Sequence, residues 1–572
     1  MRRAAHRVAC RWMGAPVAAT FVWLCLAAAA RAQAPILLHD VTRETGITFV
    51  HTDGSSGQRY MFEPMSAGVA VFDYNGDGLL DIYFLNGAPL KGTKMDVLPK
   101  NRLYRNDVNF RFTDVTDAAG VGDTGYGLGV AIGDYNNDGR PDIFISNFGP
   151  NVLYRNNGDG TFTDVTREAG VADGDHVGAG TCFLDMDGDG DLDLFVGHYV
   201  GFTYERHQII YFSGYPAYAG PRSLPPTRNR LYRNNGNGTF TDVSEESGIA
   251  AHQGTAMGMV CADYDNDGST DIIVGNDSGP NSVFHNDGTG RFKQVGLETG
   301  LAYDGQGFVQ ATMGVECGDY DNDGLLDFQM TSYRFELATL YRNLGNGLFE
   351  DVTRETGAGD GTYPHLTWGN GLVDFDNDGW RDLFMAAGHL QDNIELYDKT
   401  AAYRARNILL QSTGTGKFVN VTPQAGDGMQ VVESSRGVAF GDLDNDGDID
   451  VVVLNSRSAP TILRNDTASG HHWIQIGLRG IRTNRDGVGA HVTVVAGDLG
   501  QLQEVHSGRG YQSHFGSRLH FGLGKRDHID RIEVRWIGGG LDVIKDVAVD
   551  RILTLTEGNS TAVPLRLKAA AR

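Results

Sequence analysis

Seven times the chain spaces its acids as D-x-[DN]-x-D-G-x-x-D, the donor spacing of a loop that wraps a divalent cation. The first positions are Asp73, Asp134, Asp185, Asp263, Asp319, Asp374 and Asp442. The third positions are Asn75, Asn136, Asp187, Asp265, Asp321, Asp376 and Asp444, and the fifth are Asp77, Asp138, Asp189, Asp267, Asp323, Asp378 and Asp446. A glycine at the sixth position permits the sharp turn. The seventh residue then offers its carbonyl, from Leu79, Arg140, Asp191, Ser269, Leu325, Trp380 or Asp448. The ninth position closes the shell with Asp81, Asp142, Asp193, Asp271, Asp327, Asp382 or Asp450. Calcium, which takes six to eight oxygens at flexible spacing, suits this set better than magnesium, which keeps its waters and demands stricter geometry. Up to seven structural Ca²⁺ ions are expected.

The twelfth position excludes an EF-hand, which needs Glu there between two helices. It is Phe84, Ile145, Val196, Val274, Met330, Met385 and Val453, each in a strand-like run. Of the 28 side-chain donors at positions one, three, five and nine, 26 are Asp, which concentrates much of the formal charge of -24 in these loops. Such crowding is repulsive unless a cation neutralises it. The acidity and the lack of a dominant basic stripe argue against a nucleic-acid partner.

The elements holding the loops repeat with them. L-Y-R-N occurs at Leu103–Asn106, Leu153–Asn156, Leu231–Asn234 and Leu340–Asn343, with degenerate forms at Val283–Asn286, Ile408–Gln411 and Ile462–Asn465. G-x-F-x-D-V-[TS] follows, as at 160–166, 238–244 and 347–353. Successive loops lie 51 to 78 residues apart, and each unit reads as four short strands joined by Asn/Asp-Gly turns, one blade of a propeller. The D-V-T half stands alone at Asp40–Thr42, and the final L-Y-R-N half stands alone at Ile462–Asn465. The N-terminal segment is therefore expected to complete the last blade and close the ring. The spacing predicts an all-β fold: a seven-bladed β-propeller over 35–468, a smaller β-sandwich over 469–558, and a disordered tail over 559–572.

Two insertions break the period. Residues 197–230 are rich in aromatics (Tyr199, Phe202, Tyr204, Tyr211, Phe212, Tyr215, Tyr218), and residues 386–407 include His389 to Asn393 and Tyr397. They are expected either to carry binding or to pack as a flap over the ring. Residues 1–32 read as a secretory signal peptide, with Arg2, Arg3, Arg7 and Arg11 before the apolar stretch Ala15–Ala30. Removing them takes the formal charge to -29 and leaves no transmembrane segment in the mature chain. It also leaves Cys182, Cys261 and Cys317, an odd trio expected to be buried small residues rather than a disulfide framework.

With its flanks, the loop resembles FG-GAP or VCBS repeats, the blades of integrin-α-type propellers. The stretches 483–490 (TNRDGVGA), 508–513 (GRGYQS) and 519–524 (LHFGLG) resemble the ASPIC/UnbV domain. Together they are similar to the cartilage acidic protein family and its bacterial relatives. That resemblance implies a secreted or periplasmic calcium-binding propeller engaged with an extracellular protein or glycan, with no established catalytic reaction. The insert around Tyr218–Pro221 lacks the cysteines of many relatives. The alternative reading is a polysaccharide-acting lyase or hydrolase on a propeller scaffold. No G-x-S-x-G, H-E-x-x-H or P-loop is present. His506, His514 and His520 with Arg485 and Arg509 form the best polar cluster outside the loops, and such residues more often stabilise turns.

Overall fold

The computed structural model describes residues 35–65, 67–559 and 562–565, so the signal-peptide expectation for 1–32 lies outside the described residues. Among the described residues no helix is long and apolar enough to cross a membrane. The second unit shows how a repeat folds. Strand Tyr126–Gly133 enters the acidic loop and Asp142–Phe148 leaves it; Val152–Asn156 and Phe162–Asp164 complete a four-stranded antiparallel sheet. Among the described residues seven such sheets form, and their first strands neighbour one another in sequence order, with Ser435–Gly441 returning to Val69–Phe72. The class is an all-β propeller. Both faces of each sheet are buried against a neighbour, which accounts for runs such as Val451–Leu454 that are apolar throughout.

The ring closes as the half-units require. Leu38–Asp40 pairs with Thr461–Asn465, Leu38 opposite Asn465 and Asp40 opposite Leu463. The D-V-T motif is a local clamp. Asp114 Oδ1 accepts from the Thr116 amide (3.0 Å) and hydroxyl (2.6 Å), and Thr116 Oγ1 accepts from the Leu103 amide (3.0 Å) on the adjacent strand. The L-Y-R-N asparagine reaches further, to the neighbouring sheet. Asn156 Nδ2 donates to the Tyr74 carbonyl at 2.8 Å and Asn343 Nδ2 to the Tyr264 carbonyl at 2.9 Å, each tying a strand to the previous unit's loop. One alignment differs from expectation. In the sixth unit Ser412, not Gln411, takes the asparagine position, because the Ser412 amide donates to Asp382 Oδ1 (2.8 Å) as Asn156 does to Asp142 (2.7 Å).

Residues 472–556 with Val563–Pro564 form two four-stranded sheets sharing a core of Ile474, Ile476, Val492, Val494, Phe521 and Ile532. Pairing extends past Gly558: Val563 and Pro564 lie opposite Thr554 and Leu553, so this part of the expected tail is a short strand. Between the strands Leu499–Glu504 and Arg518–Gly524, the buried segment Val505–Phe515 enters the centre of the ring. It adds backbone bonds to the first strands: Val71 N–H to His514 O (3.0 Å), Val130 N–H to Gln512 O (3.1 Å), Phe183 N–H to Ser507 O (3.1 Å) and a reciprocal pair between Val315 and Gly510. Tyr511 packs edge-on to Trp368 of the sixth sheet at 5.1 Å. The segment thus serves backbone groups that a hollow axis would leave to water.

One sequence expectation is corrected. Cys182 and Cys261, on the first strands of adjacent sheets with Cα atoms 6.7 Å apart, form a disulfide, and among the described residues Cys317 remains a buried free thiol. Inter-sheet packing brings them together; nothing local in the sequence does. The close fit of the central segment yields a test. A Cβ at Gly68 would lie 1.9 Å from the Gln512 carbonyl oxygen. Gly68→Ala is expected to destabilise the protein by about 2 kcal/mol through overpacking, read as a lowered midpoint in denaturant unfolding.

Candidate functional site

The acidic loops are built alike, each organised by its first aspartate. In the fifth, Asp319 Oδ1 accepts from the Asp323 amide (3.1 Å) and Oδ2 from the Gly324 amide (3.0 Å), while Asp323 Oδ1 accepts from the Leu325 amide (2.9 Å). Asp327 closes the turn, accepting from the Tyr320 amide (3.1 Å) and the Asn343 amide (2.8 Å). The fourth residue turns left-handed, with φ near 60° at Asn137, Asn266, Asn322, Asn377 and Asn445, a conformation asparagine tolerates. Four of these asparagines tie each loop to the next: Nδ2 of Asn137, Asn322, Asn377 and Asn445 donates to the carbonyls of Gly190, Gly379, Gly447 and Gly78 at 2.9–3.2 Å. Sequence reasoning passed over this residue, although its recurrence at the fourth position was visible.

In four of the loops three carboxylates lie close together. Carboxylate oxygens of Asp185, Asp187 and Asp193, of Asp263, Asp265 and Asp267, of Asp319, Asp321 and Asp323, and of Asp374, Asp376 and Asp382 lie within 4.8 Å of one another in each trio. Two seventh-position side chains join the inter-loop ties: Asp191 Oδ1 accepts from Asn137 (2.8 Å) and Asp448 Oδ1 from Asn377 (2.7 Å), whereas Arg140 turns onto Asp138 of its own loop. Asp142 Oδ2, Asp187 Oδ1, Asp263 Oδ1, Asp271 Oδ2, Asp321 Oδ1 and Asp444 Oδ1 are buried without a hydrogen-bond partner. Orphaned anionic oxygens in so many equivalent loops fit a divalent cation, and an all-oxygen set with one backbone carbonyl fits calcium chemistry.

Electrostatics point the same way. Burial, reinforced by neighbouring carboxylates, pushes Asp134, Asp185 and Asp319 up to about 7 from an ordinary 3.8, and burial holds Asp81, Asp193, Asp327 and Asp450 well above it. Between about pH 4 and pH 7 the cation-free fold therefore binds more protons than the unfolded chain, so its stability falls as pH rises through that window. In chelator, the melting temperature is expected to rise as pH is lowered from about 8 to about 6. Adding ~2 mM calcium should raise the melt most at the upper pH and flatten the dependence. A melt at the upper pH that chelator leaves unchanged would count against cation binding.

The C-terminal sheets rest on this loop face. The Asp134 amide donates to Asp486 Oδ2 at 2.6 Å, Gln475 Nε2 to Asp442 Oδ2 at 2.6 Å and Arg535 to Asp263 Oδ2 at 2.9 Å. The His and Arg residues singled out from sequence lie in this junction, where His506, Arg509 and His520 line a cavity between the loop face and the C-terminal sheets. His506 Nδ1 donates to the Cys261 carbonyl (2.9 Å), His520 Nε2 faces Asn377 Oδ1 (2.6 Å), and Arg509 is ion-paired with buried Glu316. Burial drives His514 and His520 down to about 3, so both imidazoles are neutral at physiological pH. Arg485 donates its amide to Asn137 Oδ1 at 2.9 Å.

The insertions meet on the opposite side of the sheets. Gln391 accepts from the Tyr218 amide (2.8 Å) and donates to the Tyr218 carbonyl (2.9 Å), and Asn393 Nδ2 donates to the Pro216 carbonyl (2.8 Å). Beneath them, the Tyr218 hydroxyl donates to Glu63 Oε2 (2.9 Å) and accepts from Arg457 (2.9 Å), which also pairs with Asp53 and Asp392. Tyr199, Phe202 and Tyr218 are buried in this clasp. The hairpin of Ile210–Phe212 and Tyr215–Ala217 instead leaves Tyr211, Phe212 and Tyr215 64%, 48% and 40% exposed. Phe212 and Tyr215 flank Tyr397 at 6.0 and 6.3 Å, beside a groove that continues past Arg334 to Phe335. The first insertion thus packs over the ring in part and leaves one aromatic hairpin exposed.

Comparison with known proteins places these features. The FG-GAP-like repeat family matches residues 73–145, 134–196, 218–274, 263–329 and 374–453, and the ASPIC and UnbV family matches 480–562. Cartilage acidic protein 1 of Mus musculus is 25% identical over 516 residues, covering 86% of this chain and 73% of the relative. The Homo sapiens protein is 25% identical over 512 residues, covering 86% and 72%. Among solved structures, an Agrocybe aegerita lectin described as recognising non-reducing terminal N-acetylglucosamine aligns with a TM-score of 0.36 at 19% identity, over 63% of this chain and 82% of the lectin.

Proposed function

The chain belongs to the FG-GAP-repeat family and carries an ASPIC/UnbV domain, and from that premise we propose that it is an exported, calcium-stabilised binding module for an extracellular protein or glycan. The acidic loops hold the ring, with calcium as a structural ion in up to seven of them. The partner is read by the aromatic hairpin of the first insertion. The carrying observation is that Tyr211, Phe212 and Tyr215 stay exposed on a hairpin whose base is locked by Tyr218, Gln391 and Asn393. A held aromatic surface loses little entropy on binding and offers rings to sugar C–H faces or apolar side chains.

A lyase or hydrolase needs titratable groups open to substrate. Glu63, Tyr218, His506 and His514 are all buried in structural networks, which favours binding over turnover. The test is a glycan and matrix-protein array with and without calcium, followed by the triple variant Tyr211→Ala, Phe212→Ala, Tyr215→Ala. Affinity for the captured partner is expected to fall at least about tenfold, roughly 1.4 kcal/mol, with the melting temperature unchanged because these rings support little of the core. Polysaccharide turnover by the purified protein, or binding indifferent to the triple variant, would overturn the reading.

A further inference from the structure

The fourth loop is chemically unlike the other six. At the third residue of L-Y-R-N the chain carries Arg105, Arg155, Arg233, Arg342 and Arg464, and at least two of these turn to acids outside their loops, Arg105 to Asp107 and Arg464 to Asp466, both at 2.7 Å. In the fourth unit this position is His285, opposite Lys293 as Arg155 is opposite Thr163. Its ring turns towards the acids. Nδ1 lies 3.2 Å from Asp271 Oδ1 and 3.5 Å from Asp265 Oδ2, and the donor atoms of His285, Asp265 and Asp271 fall within 4.8 Å of one another. Asp265 also belongs to the trio with Asp263 and Asp267, so the imidazole borders the same donor set. Asp263 and Asp271 are fully buried, and each keeps one oxygen, Oδ1 and Oδ2 respectively, without a hydrogen-bond partner.

We propose that the fourth loop is a mixed nitrogen–oxygen site that prefers a zinc-type transition ion to calcium, with His285 as the discriminating ligand. Calcium is a hard ion that takes oxygen donors, whereas zinc accepts imidazole nitrogen together with carboxylates. The remaining loops present oxygen donors without an imidazole at this register and keep calcium-type selectivity. The inference rests on the acidic loops being cation sites, but its test separates the two claims, because calcium and zinc are counted independently.

The sixth unit supplies the variant that isolates the ligand. Gln411 occupies the same register and its Nε2 donates to Asp376 Oδ2 at 2.8 Å, so a glutamine there reaches the acids without offering a ring nitrogen. His285→Gln is therefore expected to fold and to keep a polar contact with the loop. His285→Arg restores the residue found in five other units and is a second folding-compatible variant. The full chain is equilibrated in zinc with calcium held in excess, freed of unbound metal, and its zinc and calcium are measured by mass spectrometry. Wild type is expected to retain one zinc more than either variant, with absorption at the zinc edge showing an imidazole among oxygens. Each variant is expected to gain one calcium in exchange. Equal zinc content in wild type and His285→Gln overturns the proposal, as does an anomalous map placing calcium in the fourth loop of the zinc-treated wild type. Calcium absent from every loop would instead count against the general cation reading.

Discussion

Carboxylates crowded at the centres of the loops are the constraint on which the rest of this protein depends. Four of the loops set three acids within a few ångströms of one another, and in five loops at least one buried carboxylate oxygen is left without a hydrogen-bond donor. Near a protein surface, like charges at such separations repel by several kcal/mol. The fold reduces that repulsion by spreading the loops around a ring, one per sheet, and by turning backbone amides onto the first aspartate of each. What the amides leave uncompensated is the charge a divalent ion would neutralise.

The loops are also joints. The fourth-position asparagines bind loop to loop, and the L-Y-R-N asparagines bind strand to neighbouring loop, so polar geometry that orients donors for a cation also connects adjacent sheets. The C-terminal sheets sit on this face and send Val505–Phe515 into the axis, where its backbone bonds to first strands from several units. Ring, loops and C-terminal sheets are therefore mechanically coupled: a loop that loses its order disturbs contacts made by Gln475, Asp486 and Arg535. The insertions clasp one another on the opposite side of the sheets.

Short-range patterns were legible because their physics is short-range. D-x-D-x-D-G sets donors by turn geometry, D-V-T sets a hydroxyl-and-amide clamp across two residues, and the complementary half-units at the chain ends announced the closing pair of Leu38 with Asn465. The GRGYQS stretch was recognised as a family signature, yet its place in the ring was not readable. Its glycines and small polar residues look like surface turn chemistry until seven strands surround them.

The sequence by itself determined the all-β repeat, the number and composition of the acidic loops, and the positions of the two insertions, since each depends on spacing within about a blade's length. Only the tertiary structure decided which residues meet across the ring. It joined Cys182 to Cys261, 79 residues away, and brought the Tyr511 hydroxyl to the Met65 carbonyl, 446 residues away. It turned His285 towards acids where most other units hold an arginine, and it buried His506 and His514, which sequence alone left open to chemistry. Those outcomes depend on how closed sheets pack around a common axis, a geometry that exists only after the last strand has paired with the first.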